Sequence, residues 1–161
     1  MNENLRSLIE QLRETRKKYG NSLQIAAIKD DIERINKVVN EKFNIELSPV
    51  YQSILRITNG FNENGVFLYG TETNLIQGYS DRYIEGIIEA NEIWHEYDDF
   101  SNYLFYAESD LYLFVQSFKS KLYSCHARDS FDNEPVFETN NENEFFETIF
   151  RLAVDDDFNL E

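Results

Sequence analysis

Apolar residues recur at the three- and four-residue spacing of an amphipathic helix in several stretches of the chain. This pattern predicts helices over residues 4–18, 24–43, 49–59 and 81–98 and around 145–152. The third helix has signals at its start, because the Ser48 hydroxyl can cap free backbone amides and Pro49 has no amide hydrogen that needs a partner. The last helix is expected to follow a cap at Thr139 or Asn140.

The spacing changes to that of β-strands in the second half of the chain. Residues 103–115 are dense in aromatic and β-branched side chains, which favours two strands joined by an acidic turn at 108–110. Residues 121–126 are expected to pair with the second strand as a hairpin, and Pro135 is typical of an edge strand, here at 135–138. A further strand is predicted at 66–69, after the Asn59-Gly60 pair and a turn.

The element order is therefore ααα-β-α-βββ-α. This order predicts an α+β fold, with an antiparallel sheet of about four to six strands and helices packed on one face. We expect one domain over residues 1–161, with a peripheral N-terminal helix within 1–22 and a frayed tail at 155–161. The sequence leaves open whether the first helix packs on the domain or mediates assembly.

Two of these segments resemble the SUKH superfamily. The helix–Asn-Gly–strand unit at 46–70 is similar to the family's motif, and 103–115 looks like its paired central strands. The sequence departs from the family pattern at two points, since Ser48 separates the usual leucine and proline and the acidic turn has no glycine. With the last helix, the resemblance spans about residues 26–154.

The best-known bacterial SUKH proteins are immunity proteins that neutralise polymorphic toxins. The resemblance therefore implies a non-enzymatic protein that binds a cognate toxin domain and blocks access to its active site. Other members act as intracellular regulatory or scaffold proteins, which is a second interpretation. A third is a small-ligand-binding protein, with a pocket between the sheet and the connection at 70–80.

Composition narrows the class of protein. The chain has 161 residues, of which 42% are hydrophobic, including 13 Phe and 10 Tyr, so it can form a sizeable core. No apolar run approaches the roughly 20 residues of a membrane span, and the first residues lack the features of a signal peptide, so we expect a cytoplasmic protein. The single cysteine, Cys125, excludes an internal disulfide.

The charge is divided unevenly along the chain. The net charge is −15; residues 1–42 hold nine Lys/Arg against seven Asp/Glu, whereas 43–161 hold six against 23. A negative field of this kind disfavours nucleic acid and anionic membranes as partners. It would attract a basic protein, although acidic composition can also serve solubility alone.

The candidate chemical motifs are incomplete. Cys125 and His126 are adjacent in a predicted strand, so their side chains point to opposite faces and cannot act as a nucleophile–base pair; we expect a structural thiol and a surface histidine. Glu92 and His95 have the Glu-x-x-His spacing, but a di-iron bundle needs two copies and further glutamates. We therefore predict no catalytic residue, no cofactor and no metal site.

The acidic clusters remain as candidate contacts with a partner. Charge density places them on the predicted helix 81–98 and its following loop, and on the turn between the two central strands. The predicted partner-binding residues are Glu96, Tyr97, Asp98, Asp99, Glu108 and Asp110. The tyrosine would be an aromatic anchor and the carboxylates would pair with Lys or Arg of a basic toxin domain such as a nuclease.

Overall fold

The computed structural model describes residues 1–160, which form five α-helices, two antiparallel sheets and two short 3₁₀ turns (Asp98–Phe100 and Arg128–Ser130). The helices are α1 (Glu3–Lys18), α2 (Lys29–Phe43), α3 (Pro49–Leu55), α4 (Ile87–Trp94) and α5 (Glu142–Val154). The strands are β1 (Phe61–Glu63), β2 (Val66–Leu68), β3 (Asn74–Leu75), β4 (Tyr83–Ile84), β5 (Tyr103–Ser109), β6 (Tyr112–Ser117), β7 (Tyr123–Ala127) and β8 (Phe137–Thr139). The predicted α+β class is confirmed, with β1, β3 and β4 as additional strands.

The large sheet has the strand order β1-β2-β5-β6-β7-β8, and every neighbouring pair is antiparallel. The predicted β5–β6 and β6–β7 hairpins are both present, and β8 is the edge strand that Pro135 indicated. The β1–β2 hairpin turns at Asn64 and Gly65, whose φ angles of 49° and 71° are those of a tight type I′ turn. β3 and β4 form a separate two-stranded sheet.

One face of the large sheet, the core face, is buried under helices. The cross-strand partners Ala107, Phe114 and Cys125 lie on this face. The Phe145 ring of α5 lies 6.1 Å from the ring of Phe114, so α5 covers the centre of the sheet. Both α1 and α3 pack against α5, so these three helices lie on the same side of the sheet, as predicted.

The two ends of the chain contact the rest of the fold. α1 packs on α5 through its buried leucines, and at its far end the Arg16 guanidinium donates a 2.9 Å hydrogen bond to the Glu63 carboxylate of β1. Of the two roles left open for the first helix, packing on the domain is the one observed. The segment after α5, which we expected to fray, contacts β6 through a 3.1 Å hydrogen bond from the Tyr112 hydroxyl to Asn159.

α4 lies along the part of the β5 edge that β2 does not cover. β2 pairs with residues 107–109 of β5, which leaves the beginning of β5 without a neighbouring strand on that side. The Asn91 side chain donates to Phe105 O and accepts from Phe105 N, both at 2.8 Å, and the His95 ring contacts Tyr103 O at 2.7 Å. Four residues of helix rise about 6 Å and two residues of strand about 6.6 Å, so the two spacings match.

The helix at 81–98 was predicted too long, because tertiary contacts determine its start. Residues 83–84 form β4, and α4 begins at Ile87 after Gly86. Gly86 lies in a parallel bridge with Gly70, and a Cβ atom at Gly86 would lie 2.6 Å from the Cα atom of Glu72. Because the two backbones pack this closely, position 86 requires glycine, and the extended segment that contains β4 ends there.

The predicted boundaries of the second and third helices also need correction. Residues 24–28 precede α2 and form no helix. The side-chain amide of Gln24 donates to Leu75 O and Asn74, and its side-chain oxygen accepts from Gln77 N, so this segment is bound to β3 and the loop after it. α3 ends at Leu55, four residues before the predicted end. The last helix is capped by Asn141 and not by the predicted Thr139 or Asn140.

Candidate functional site

The face of the large sheet opposite α5, here called the open face, carries two clefts. The first, here called the acidic cleft, has a volume of about 330 Å³ and is lined by Phe67, Tyr69, Tyr83, Glu85, Glu108, Ser109, Asp110 and Arg128. The second, of about 380 Å³, lies over β7 and is lined by residues that include Asp99, Tyr103, Ser124, His126, Phe131 and Glu138. Both clefts therefore contain predicted partner-binding residues.

An aromatic cluster separates the two clefts. The Trp94 ring of α4 stacks on Phe105 of β5 with a centroid distance of 4.8 Å. Phe100 packs edge-on against both rings, and Phe131 packs edge-on against Phe100. The Arg128 guanidinium lies 5.5 Å from the Trp94 ring. Since Phe105 is fully buried, the rings of Trp94, Phe100 and Phe131 cover the middle of the open face and leave its two ends accessible.

Glu108 is held in one orientation inside the acidic cleft. The Tyr69 hydroxyl donates to its Oε1 atom at 3.0 Å, and the Arg128 guanidinium donates to its Oε2 atom at 2.8 Å. The Trp94 indole N–H in turn donates to the Tyr69 hydroxyl at 2.9 Å, and Arg128 also donates to Ser109 O. Both carboxylate oxygens of Glu108 are thus satisfied within the protein.

Glu85 and Asp110 have no such compensation. Neither carboxylate forms an ion pair within residues 1–160. Partial burial raises the pKa of Glu85, and the negative charges of Glu108 and Glu89 raise it further. The acidic cleft therefore holds three carboxylates and one guanidinium, with an excess of negative charge at its mouth.

The segment after α4 forms an exposed acidic patch with an apolar centre. Tyr97 is 61% exposed and Ile93 is 53% exposed, and Glu96, Asp98 and Asp99 around them are exposed too. The Tyr97 ring lies 6.1 Å from Phe100, so the patch is anchored on the aromatic cluster. An exposed aromatic ringed by charge is a common composition for a protein-binding surface.

The six predicted residues therefore fall into two groups. Glu108 and Asp110 line the acidic cleft, whereas Glu96, Tyr97, Asp98 and Asp99 are contiguous beyond the aromatic cluster, with Asp99 at the second cleft. The Arg128–Trp94 contact links the two groups. They lie at different points of one side of the molecule and not at a single focus.

The prediction of a surface histidine at position 126 was wrong. His126 is only 6% exposed; its Nε2 atom lies 3.0 Å from Ser124 Oγ and its Nδ1 atom 3.1 Å from Phe131 O. Burial lowers the pKa of its imidazole. Cys125 lies on the opposite, core face, as expected, and burial raises the pKa of its thiol to about 12.

The Glu-x-x-His pair has other partners. The Glu92 carboxylate forms an ion pair with Lys42 of α2, and His95 contacts the β5 backbone. In the part of the chain that the structure describes, no group of three His, Cys, Asp or Glu side chains is placed to hold a metal ion. Nor does any helix in that part combine the length and apolarity that crossing a bilayer requires.

Six of the eight residues that line the acidic cleft were not predicted as site residues, among them Tyr83, Glu85 and Arg128. Tyr83 and Glu85 were assigned to a helix, although exposed residues 83 and 85 flank buried Ile84 in the alternation of a strand. Arg128 follows β7 directly and is one of only six Lys/Arg after residue 42. The scarcity of cations in this part of the chain could have identified Arg128, since an isolated cation in an acidic region is expected to form an ion pair.

The negative charge of the second part of the chain is largely uncompensated. Among carboxylates at 43–160, those of Glu63, Glu92 and Glu108 form ion pairs within the described chain. The others contribute to an acidic surface that includes both clefts of the open face. In comparisons with protein-family models, curated proteins and solved structures, no match to this chain was found.

Proposed function

We propose that this chain is a non-enzymatic immunity protein that acts in the cytoplasm. Its open face and the adjoining acidic patch would bind a basic toxin domain, such as a nuclease, and block access to the toxin's active site. We infer that the partner is a toxin from the SUKH resemblance of residues 46–70 and 103–115. We infer that the partner is basic from the negative charge of this chain.

The observation that carries the proposal is the composition of the patch after α4. Tyr97 and Ile93 expose apolar surface, and unpaired carboxylates surround them. In protein complexes, aromatic anchors at the centre contribute most of the binding energy, while charged residues at the rim contribute mainly to association rate and specificity. This arrangement supports binding by contact and requires no chemistry from the chain.

The mechanism is electrostatic capture followed by occlusion. A nuclease that binds phosphate must itself present Lys and Arg, which a negative surface attracts and speeds into contact. Once docked, the acidic side of this chain would occupy the surface that the toxin uses for nucleic acid. Neutralisation then follows from exclusion of substrate.

The test is binding to the toxin domain encoded beside this protein's gene, at about 0.1 M and about 0.5 M salt. We expect binding that weakens at the higher salt. Tyr97→Ala should weaken binding by about tenfold or more if Tyr97 is an anchor. The matched control is Tyr19→Ala, since Tyr19 is also exposed (76%) but follows α1, far along the chain from the patch.

Charge is tested separately from the anchor. The double variant Asp98→Asn with Asp99→Asn should reduce the association rate, whereas Asp155→Asn with Asp156→Asn removes the same charge from the exposed tail and should have less effect. No binding at either salt concentration, or binding that is indifferent to both salt and Tyr97, would contradict the proposal.

A specific observation also favours the small-ligand interpretation. A third cleft, of about 390 Å³, lies between the β1–β2 turn and the connection near Tyr79 and Arg82. The Arg82 guanidinium lies 4.9 Å from the Tyr79 ring. A thermal-shift screen with metabolites tests this candidate, and a ligand whose effect is lost in Arg82→Ala would support it.

A further inference from the structure

We propose that the acidic cleft is a receptor for one arginine side chain of the protein partner. The guanidinium would lie between Glu85 and Asp110, against the aromatic side chains of Tyr83 and Phe67. This inference rests on the proposed function, in that it assumes a basic protein partner. It goes further by naming the cleft, separate from the Tyr97 patch, that takes an individual side chain.

The shape and walls of the cleft suit a planar cation. Its volume of about 330 Å³ is at the lower end of the range for small-molecule sites, which fits one side chain. Its walls include Tyr83, which is 55% exposed, and the half-buried ring of Phe67. Aromatic faces bind guanidinium ions by cation–π attraction, more often for arginine than for lysine.

The charges of the cleft leave two carboxylates for an incoming cation. Both oxygens of Glu108 are used by Tyr69 and Arg128. Glu85 and Asp110 pair with no cation of the described chain, so they are the groups that a partner's guanidinium would meet. Charge-assisted hydrogen bonds to a carboxylate are the stronger kind, and an arginine can form two of them at once.

The cleft already contains an example of the proposed contact. Arg128 of this chain lies over the Trp94 ring and donates to Glu108, so one guanidinium is held there between an aromatic face and a carboxylate. A second guanidinium beside Glu85 would repeat that arrangement with Tyr83 in the place of Trp94. It would also relieve the repulsion among Glu85, Glu108 and Glu89, which adds to the effect of partial burial in raising the pKa of Glu85.

The second cleft differs in its aromatic walls. It too has carboxylates without an ion pair within residues 1–160, at Asp99, Asp132, Glu134 and Glu138, but its Tyr103 is only half-exposed and its Phe131 is buried. Its Ser124 and His126 side chains hydrogen bond to each other, and His126 also contacts Phe131 O. In the third cleft, the Arg16 guanidinium is bound by Glu63. The acidic cleft is therefore the one that combines unpaired charge with exposed aromatic walls.

The direct test uses small probes and the whole protein. N-acetyl-arginine amide is titrated into isotope-labelled protein while amide chemical shifts are recorded, and the neutral isostere N-acetyl-citrulline amide is titrated in parallel. We expect saturable shifts at Glu85, Asp110 and Tyr83 with the arginine probe, and weaker shifts with the corresponding lysine probe, N-acetyl-lysine amide. No saturation, equal binding of citrulline, or shifts confined to other surfaces would overturn the inference.

Variants extend the test to the partner. Glu85→Gln with Asp110→Asn should reduce the affinity for the arginine probe and for the partner by about tenfold or more. The control, Asp155→Asn with Asp156→Asn, has the same net charge but lies in the exposed tail outside the cleft and the Tyr97 patch, so its affinity for the probe should not change. If a basic partner binds and the two double variants weaken it equally, this inference fails while the proposed function stands. If no basic partner binds, the proposed function fails, and the probe titration still tests whether the cleft binds an arginine side chain.

Discussion

At the scale of single residues, the negative charge of Glu85 lowers the stability of the folded chain. Its carboxylate is partly buried beside Glu108 and Glu89, and its pKa is raised from the ordinary value of 4.5. The folded chain therefore binds a proton there more readily than the unfolded chain does. The free energy of unfolding must then fall as pH rises from the ordinary pKa to the raised one, and the penalty is complete above it.

This effect gives a prediction for Glu85→Gln. At about pH 7 the variant should unfold about 1–2 °C higher than the original protein, because it removes a partly buried charge and its repulsion with Glu108 and Glu89. At about pH 3, well below the ordinary pKa of 4.5, the original carboxylate is protonated in both states and the difference should disappear. Thermal unfolding across this pH range measures it, with Glu96→Gln as the exposed control. A variant less stable at neutral pH would contradict the assigned cause.

At the scale of elements, the contact between α4 and β5 replaces a missing stretch of strand. Asn91 is fully buried, and its side chain satisfies both backbone groups of Phe105. A buried donor or acceptor left without a partner costs about 1–3 kcal/mol. Asn91 therefore supplies two of the hydrogen bonds that attach the helix to the sheet edge, and His95 supplies a third contact with the β5 backbone.

The corresponding prediction concerns Asn91→Ala. We expect the free energy of unfolding to fall by about 2–4 kcal/mol, since Phe105 would lose two hydrogen-bond partners at once. Urea unfolding measures the change, and Asn102→Ala, at an exposed asparagine near the start of β5, is the control. A loss below about 0.5 kcal/mol would show that water replaces the asparagine.

The elements that sequence predicts well are those with local signals. Ser48 does cap α3, because its hydroxyl accepts from Tyr51 N, as the Ser-Pro pair indicated. The apolar spacing of Ile84 with Ile87 imitated a helix, although Ile84 faces inward from β4. The long-range bridge between Gly70 and Gly86 ends the extended segment, and local periodicity does not contain it; the alternation at residues 83–85 is too short to outweigh the helical spacing.

The candidate site was predictable to the same extent. Glu108 lies in β5 and Asp110 in the turn that follows it, so their closeness in the sequence alone groups them in one acidic cluster. Glu85 and Arg128 reach the same cleft from segments 23 and 20 residues away from Glu108, through the pairing of β2 with β5 and of β6 with β7. A sequence pattern cannot show that convergence, because it depends on the order of strands in the sheet.

At the scale of the whole molecule, the net charge of −15 opposes compaction. Salt screens repulsion between exposed charges, so it should stabilise the free protein while it weakens the proposed complex. We predict that the melting temperature rises by a few degrees between about 0.02 M and about 0.5 M NaCl. Replacing Asp155, Asp156 and Asp157 by Asn changes the net charge from −15 to −12 and should reduce this dependence. An unchanged melting temperature would mean that the charges are too dispersed to repel.

The position of α1 has a further consequence for motion in solution. This helix carries more Lys and Arg than Glu, and it packs on α5, on the side of the sheet away from the two clefts of the open face. The protein therefore has an electric dipole moment as well as a net charge. In the field of a cationic body such a molecule experiences a torque, which turns its anionic end forward before the two surfaces touch. This rotation would increase the fraction of collisions in which the anionic surface faces the partner.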